Sequence, residues 1–305
     1  MAQDKPTLLT VGSVAFDSVE TPGGAVERAL GGSATYASLA ASYFSSPRVV
    51  AVVGDDFGDA ELETFRKRAI DTSGIERVHG KTFHWRGRYH ENMQDRDTLE
   101  TQLNVFESFD PQVPAGFRSS AFVFLGNIAP KIQAKVLEQV EGPDLIGLDT
   151  MNFWIESALA DLKAVLKRVD ILFINDDEAA QLSGETQVLA AAERILDLGP
   201  RYVVIKRGEF GSLLFGRNVC LFVPAVMLPK VVDPTGAGDA FAGGFLGWLS
   251  GAGEVNRVNL AQAMLHGTVM ASFTVENFSV DGLLAPDRSA IDDRRQILES
   301  MTDYV

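Results

Sequence analysis

The stretch from Asp233 to Gly244 combines a phosphate-binding pattern with a carboxylate. Its Gly236, Ala237 and Gly238 allow close backbone approach and unusual dihedral angles just before a predicted helix. The first N–H groups of a helix lack internal acceptors and the helix dipole is positive there, so this turn attracts anions. Asp239 lies in the same turn, where a carboxylate is suited to accept the proton of a hydroxyl that attacks a phosphate. The alternative is an ordinary glycine-rich loop in which Asp239 caps the helix.

A second group of polar residues stands at the ends of predicted strands. Short apolar strands alternate with helices, which predicts an α/β fold with a mostly parallel sheet covered on both faces. The predicted strands are 8–13, 48–56, 121–127, 145–149, 171–175 and 202–206. The predicted helices are 34–44, 59–69, 132–141, 158–168, 177–182, 187–198, 240–249 and 287–305. Ligands of such sheets bind beyond the carboxyl ends of the strands. We therefore expect Asn127, Asp149, Asn175, Lys206 and Asp239 to gather at one rim.

The residues around Asn175 suggest a metal-binding role. Asn175 and Glu178 are three positions apart, where a strand ends and a helix begins, so both can point at one spot. Their oxygen atoms suit Mg²⁺, which often keeps its bound waters. Acidic residues in a first helical turn are also common as plain partners of the helix dipole.

Two segments lack the regular alternation. Residues 18–30 have turn chemistry and strand-like fragments, and 79–109 mix aromatic and charged residues without a helical period. The pattern of the second segment fits a small β element or a long surface loop equally well.

Size and charge exclude several classes of protein. The chain has 305 residues with 46% hydrophobic and 22% charged residues, which suits a single α/β domain over 1–305. A net charge of −14 argues against nucleic acid and anionic membranes as partners. Cys220 is the only cysteine, and Met1 to Thr7 has neither a basic lead nor an apolar core. We expect a cytoplasmic protein without a signal peptide or membrane span.

The Asp233–Gly244 stretch resembles the C-terminal signature of the ribokinase-like (PfkB-type) family of sugar and nucleoside kinases, and the match is unbroken. This resemblance implies a three-layer α/β/α sandwich with a small β-lid formed from about 15–30 and 79–109. It also implies that Asp239 is the catalytic base and that Gly236, Ala237 and Gly238 form the anion hole. The partners implied are ATP, Mg²⁺ held near Asn175 and Glu178, a small sugar or nucleoside, and a second copy of the chain bound through the lid. A monovalent cation such as K⁺ beside the Asp233–Gly238 turn is common in the family.

The resemblance extends to the remaining site residues. Acceptor contacts are expected from Asp17, Gly31, Gly32, Tyr36, Arg88, Asn127 and Asp149. Nucleotide contacts are expected from Asn175, Lys206, Gly208, Gly211, Thr235 and Asn277. The Lys206–Gly211 stretch also fits a simple hairpin turn, and Lys206 also fits a surface position.

One position departs from the family pattern. Ribokinases and adenosine kinases carry Asn four residues beyond the second glycine of the Gly31-Gly32 pair, whereas this chain has Tyr36. The change removes one hydroxyl partner of a ribose. We therefore predict a sugar kinase that phosphorylates a primary hydroxyl, with a nucleoside kinase as the alternative. The aromatic residues of 79–109 suit either acceptor, because they can stack on a base or cover a sugar ring.

Two other functions fit less well. A catalytically silent sugar-binding regulator would not need Asp239 and the whole anion-binding turn, yet both are present. A dinucleotide-dependent oxidoreductase would need a Gly-x-Gly-x-x-Gly pattern after the first strand. The sequence there is Gly-Ser-Val-Ala-Phe-Asp from Gly12 to Asp17.

Overall fold

The apolar segments form strands in a computed structural model of the chain, which describes residues 6–301. In chain order the strands are β1 (Thr7–Val11), β2 (Ala15–Thr21), β3 (Gly24–Gly31), β4 (Ser46–Val53), β5 (Asp71–Arg77), β6 (His84–Tyr89), β7 (Arg96–Gln102), β8 (Phe122–Leu125), β9 (Leu145–Asp149), β10 (Ile171–Asn175), β11 (Tyr202–Lys206), β12 (Ser212–Gly216) and β13 (Val219–Val223). Part of the N-terminal segment Met1 to Thr7 and part of the predicted helix 287–305 fall on residues 1–5 and 302–305, which lie outside the described residues.

Helices connect most of these strands. They are α1 (Ser33–Ala41), α2 (Asp59–Lys67), α3 (Pro130–Leu137), α4 (Asn152–Ser157), α5 (Leu159–Leu166), α6 (Asp176–Ser183), α7 (Val188–Leu196), α8 (Ala237–Ala252), α9 (Arg257–Thr274), α10 (Asp281–Leu284) and α11 (Arg288–Ser300). Short 3₁₀ helices cover Asn104–Ser108, Ala115–Phe117 and Gly208–Phe210. No helix within 6–301 is long and apolar enough to cross a bilayer.

A large sheet of nine strands forms the centre of the fold, in the order β13-β12-β11-β10-β9-β8-β1-β4-β5. From β11 to β5 all neighbours are parallel, and β12 and β13 extend the sheet as an antiparallel hairpin. Side chains of the central strands alternate between two cores. Leu8, Phe124 and Phe173 pack in one core with helices α1, α8 and α9, whereas Leu9 and Val123 pack in the other. The three-layer α/β architecture expected from the sequence is confirmed.

Four strands form a separate small sheet, in the order β3-β2-β6-β7. Strands β2 and β3 are antiparallel, β2 and β6 are parallel, and β6 and β7 are antiparallel. The segment 79–109, for which the pattern left a choice between strand and loop, therefore contains two strands and a 3₁₀ helix.

Small residues of α8 fix its position against the other helices. A β-carbon on Gly244 would lie 2.8 Å from Cγ of Met270 in α9, and one on Gly247 would lie 2.7 Å from Cα of Ala41 in α1. The run of small residues after Asp239 therefore lets α8 lie close to α1 and α9. This packing places the beginning of α8 beside the beginning of α1, at the rim where the parallel strands end.

Candidate active site

The beginning of α8 offers free backbone amides. Gly236 precedes the helix with a left-handed φ of 76°, a conformation that glycine adopts without strain. The N–H of Ala237 donates to the carbonyl of Pro234 at 3.2 Å. Within residues 6–301 the N–H groups of Gly236, Gly238 and Asp239 have no backbone acceptor among the turn and cap hydrogen bonds. The turn thus leaves three amides without a backbone partner, and two of them, those of Gly236 and Gly238, belong to the predicted anion hole.

Asp239 lies in the first turn of α8 and is partly buried. Withdrawal of its carboxylate from solvent raises its pKa to about 7, together with the negative charges of Asp149 and Asp17. The positive charges of Lys206 and Arg96 act in the opposite direction. A carboxylate whose pKa lies near neutrality is well matched to the work of a general base.

Lys206 stands among the carboxylates at the end of β11. Its Nζ lies 2.7 Å from Oδ2 of Asp149 at the end of β9, and both side chains are largely buried. Burial alone would lower the pKa of Lys206, but the charges of Asp149, Glu178 and Asp239 raise it. A β-carbon on Gly238 would come within 2.9 Å of the same Nζ, so the ammonium group lies directly against the anion-binding turn.

Asn175 and Glu178 cap helix α6. Oδ1 of Asn175 accepts the N–H of Glu178 at 2.7 Å, and Oε2 of Glu178 accepts the N–H of Asn175 at 3.0 Å. Burial raises the pKa of Glu178 to about 7, with Asp149 adding to the effect and Lys206 opposing it. Within 6–301 no three acidic, histidine or cysteine side chains converge on a preformed metal site. Each oxygen in the capping bonds has a second lone pair, so the pair suits Mg²⁺ bound through water.

A further carboxylate of the site belongs to Asp17 on β2. Asp17 is buried, and burial together with the charge of Asp233 raises its pKa to about 7, although the backbone of Gly32 acts in the opposite direction. A β-carbon on Gly31 would overlap the carboxylate of Asp17. Asp17, Gly31 and Gly32 therefore form one tightly packed group.

Tyr36 in α1 lies at the centre of these groups. Its side chain is buried, its ring packs against Gly236, and within 6–301 its hydroxyl has no hydrogen-bond partner. Burial, together with Asp17, Asp233, Tyr89 and Asp239, raises its pKa well above the ordinary value. A buried hydroxyl without a partner is costly, which is a feature of sites completed by a ligand.

The small sheet reaches over the rim. Oγ1 of Thr235 donates to the hydroxyl of Tyr89 on β6 at 3.3 Å, which links the anion-binding turn to this sheet. Arg88, the neighbouring lid residue expected to contact the acceptor, instead pairs with Glu20 at 2.7 Å and is exposed. Arg96, which sequence reasoning did not select, interacts with Tyr89 and Asp239.

Other predicted residues have contacts or surroundings of their own. Oδ1 of Asn127 accepts the indole N–H of Trp154 at 3.0 Å, at the end of β8. Gly208 and Gly211 form the turn between β11 and β12, with left-handed φ values of 52° and 85°. The turn joins β11 and β12 as a hairpin, and its contact with a nucleotide stays a prediction. Asn277 is exposed after α9.

Comparisons with known proteins bear on this geometry. The family model of pfkB carbohydrate kinases matches residues 6–286. The chain is 31% identical over 245 residues to a cytidine kinase of Thermococcus kodakarensis, an alignment that covers 78% of this chain and 87% of that protein.

Solved structures share the fold. The nucleoside kinase of Methanocaldococcus jannaschii, an archaeal member of the ribokinase family, matches with a TM-score of 0.77 and 19% identity, over 97% of this chain and 100% of that chain. The fructokinase of Vibrio cholerae, in its form bound to fructose, ADP and calcium, matches with a TM-score of 0.80 and 19% identity, over 95% and 99% of the two chains. At this identity the likeness shows the fold.

Proposed function

The chain belongs to the pfkB family of carbohydrate kinases, and we propose that it transfers the γ-phosphoryl group of ATP to a primary hydroxyl group of a small sugar or nucleoside, with Asp239 as the general base. The observation that carries this proposal is the position of Asp239 beside free amides and the Lys206 ammonium group. In this proposal residues 1–305 act as one kinase unit and the small sheet is its lid.

The reaction needs one proton acceptor and several positive charges. The acceptor oxygen forms a bond to the γ-phosphorus, and its proton passes to the carboxylate of Asp239. The bond from the γ-phosphorus to the bridging oxygen breaks, and its electron pair leaves with ADP. The amides of Gly236 and Gly238 and the ammonium group of Lys206 stabilise the charge on the transferring group.

Mg²⁺ would bind near Asn175 and Glu178, through water and the phosphate oxygens. When bound, it neutralises charge on the phosphates. Two other groups of the protein bind the acceptor. Asp17 accepts a hydrogen bond from an acceptor hydroxyl, and the Gly31-Gly32 backbone lets the sugar ring of the acceptor approach closely.

A nucleoside is the first candidate for the acceptor. The relative with 31% identity is a cytidine kinase, and the alignment covers most of both chains. Trp85 of the small sheet is partly exposed and offers a flat aromatic surface on which a base can stack. A free sugar is the second candidate, because Tyr36 fills the position at which ribose-binding relatives carry Asn.

Two further partners are part of the proposal. Oδ2 of Asp233 is buried and has no hydrogen-bond partner within 6–301, so it is available to a monovalent cation. We expect turnover to fall when K⁺ is replaced by tetramethylammonium.

Strands β3 and β7 form open edges of the small sheet, which suits pairing with a second copy. Gel filtration then gives a dimer of the 33.0 kDa chain, and elution as a monomer would exclude this pairing.

The experiment that tests the proposed function is ADP formation with Mg-ATP and single acceptors. Cytidine, adenosine, inosine, ribose and fructose are compared, and mass spectrometry identifies the phosphorylated product. Turnover restricted to nucleosides supports the first candidate, whereas turnover restricted to free sugars supports the second. If ADP forms at the same rate without any acceptor, the transfer reaction proposed here is wrong.

A further inference from the structure

The two faces of the small sheet carry different side chains. Asp17 on β2 is the register partner of Trp85 on β6. Tyr89 is four residues farther along β6, so its side chain lies on the same face of the strand as that of Trp85. Directly opposite residues of neighbouring strands share a face. Trp85 and Tyr89 therefore lie on the same face as the acceptor-site carboxylate of Asp17, which we call the inner face.

Arg96 on β7 belongs to this inner face. It is the register partner of Tyr89, and its guanidinium group lies 5.9 Å from the centre of the Trp85 ring. The positive charge of Arg96 also acts on Tyr89, where it opposes the rise in pKa that burial causes, and the Tyr89 hydroxyl accepts a hydrogen bond from Thr235 of the anion-binding turn. The inner face thus brings a guanidinium group towards the beginning of α8.

The outer face holds the other arginines of this hairpin. Arg86 and Arg88 both pair with Glu20, at 3.0 Å and 2.7 Å. Arg96 differs from them because no carboxylate within 6–301 forms an ion pair with it. A guanidinium group that faces a site and has no ion-pair partner there is available to an anionic ligand.

The charge balance of the site indicates which anion this is. Asp17, Asp149, Glu178, Asp233 and Asp239 bring five carboxylates around the rim, and Lys206 is already paired with Asp149. The charge of Arg96 acts on both Asp239 and Glu178, which belong to opposite sides of the proposed transfer point. A phosphoryl group between them needs a cation that no carboxylate has already neutralised.

We propose that Arg96 is a catalytic residue of the small sheet, whose guanidinium group contacts the transferring phosphoryl group. This inference rests on the proposed kinase function. Two N–H groups of Arg96 bind oxygens of the phosphoryl group while its bond to the acceptor oxygen forms and its bond to ADP breaks. The proton of the acceptor still passes to Asp239, so Arg96 stabilises charge and takes no proton.

The position of Arg96 on the small sheet has a mechanistic consequence. The hairpin of β6 and β7 also reaches the turn after β11, because a β-carbon on Gly208 would lie 3.6 Å from Nε2 of Gln94 at the hairpin tip. The hairpin therefore spans from the acceptor side of the site to the predicted nucleotide side. The guanidinium group of Arg96 reaches the phosphoryl group only when this hairpin covers the site. This requirement limits ATP hydrolysis without an acceptor.

The test compares Arg96→Gln and Arg96→Lys with Arg86→Gln, the matched outer-face control. We expect kcat to fall about a hundredfold or more in Arg96→Gln. Arg96→Lys should be partly active, because a point charge cannot bind two oxygens in the fork geometry. The KM values for ATP and for the acceptor should change less than about threefold, since the contact forms mainly in the transition state. Arg86→Gln should stay within about twofold of the wild type.

Chemical rescue separates a catalytic role from a structural one. Guanidinium chloride at low millimolar concentration should restore part of the kcat of Arg96→Ala and leave Arg86→Ala unchanged. An unaltered kcat in Arg96→Gln, with a raised KM for the acceptor, would overturn the inference and make Arg96 an acceptor-binding residue. Absence of rescue, together with a lowered melting temperature of Arg96→Ala, would overturn it in favour of a structural role. If the wild type itself forms no ADP with any acceptor, it is the proposed kinase function that fails.

Discussion

The ring of Tyr36 packs against the backbone of Gly236, the residue with a left-handed φ that precedes α8. Any β-carbon on Gly236 would overlap this ring, and the φ of 76° is itself unfavourable for other residues. The predicted acceptor side and the predicted phosphate side of the site thus share one contact. Changes to either residue should affect both.

Gly236→Ala should therefore impair catalysis more than folding. The new methyl group must displace the Tyr36 ring or the turn, and a shift of the turn moves its amides away from the phosphoryl group. We expect kcat to fall at least about tenfold, as for the loss of a donor to the developing charge. Steady-state kinetics measure this, and Gly253→Ala, at the other end of α8 with open space around it, is the control. Equal activity of the two variants would contradict this account of the turn.

Tyr36→Phe should separate acceptor binding from stability. The hydroxyl is buried and has no partner within 6–301, so its removal should leave the melting temperature unchanged or raise it. The acceptor should bind more weakly, with a KM raised about fivefold to tenfold, corresponding to one hydrogen bond. Thermal unfolding and acceptor titrations measure the two effects. A destabilised variant with an unaltered KM would instead assign the hydroxyl to the fold.

Activity should depend on pH through the carboxylates of the site. Asp239 has a pKa of about 7 and must be ionised to accept a proton. Because the protonated form is inactive, kcat/KM should fall about tenfold for each unit of pH below this value. The apparent pKa belongs to the coupled group rather than to Asp239 alone. The negative charge of Asp17 helps to raise the pKa of Asp239, and Asp17→Asn removes this charge. The residual activity of this variant should therefore extend to lower pH. A flat wild-type profile between pH 5.5 and 8 would contradict this assignment.

The pair of Lys206 and Asp149 should contribute strongly to stability. Lys206→Met leaves Asp149 buried without its partner, and we expect the free energy of unfolding to fall by about 3 kcal/mol. Adding Asp149→Asn removes the unpaired charge and should restore more than half of this loss. Denaturant unfolding of the single and double variants measures the difference. Equal stability of the two would mean that the pair does not act as a buried ion pair.

The sequence predicts the central sheet well because its strands are apolar on both faces. The predicted strands 145–149, 171–175 and 202–206 agree with the structure at both ends. Strand β5 was not predicted, because this edge strand is half exposed and its sequence from Asp71 to Arg77 is mostly polar. Helix α9 was not predicted either, since it is buried along most of its length and therefore lacks a polar face.

In the candidate site, too, some residues could be predicted from local sequence patterns and others could not. Asp149, Lys206 and Asp239 come together because strand and helix ends place them at one rim, and this could be expected from local patterns. Asp17 lies inside β2 of the small sheet, and its place in the site was expected only from the family resemblance. Arg96 could not, because its position depends on the register of β6 and β7 and on the hairpin between them. The same register turns Arg88 to the outer face. The choice between sugar and nucleoside remains a prediction, since it depends on how Tyr36 and the small sheet fit an acceptor.

The most direct test of the central claim is the rate of acceptor-dependent ADP formation by Asp239→Asn. The amide has the size of the carboxylate but cannot take the proton, so we expect kcat to fall by about a hundredfold or more. Binding of ATP, measured by calorimetry, should persist, and the melting temperature at pH 8 should rise, because a buried charge with a raised pKa has been removed. Turnover within about threefold of the wild type would contradict the assignment of Asp239 as the general base.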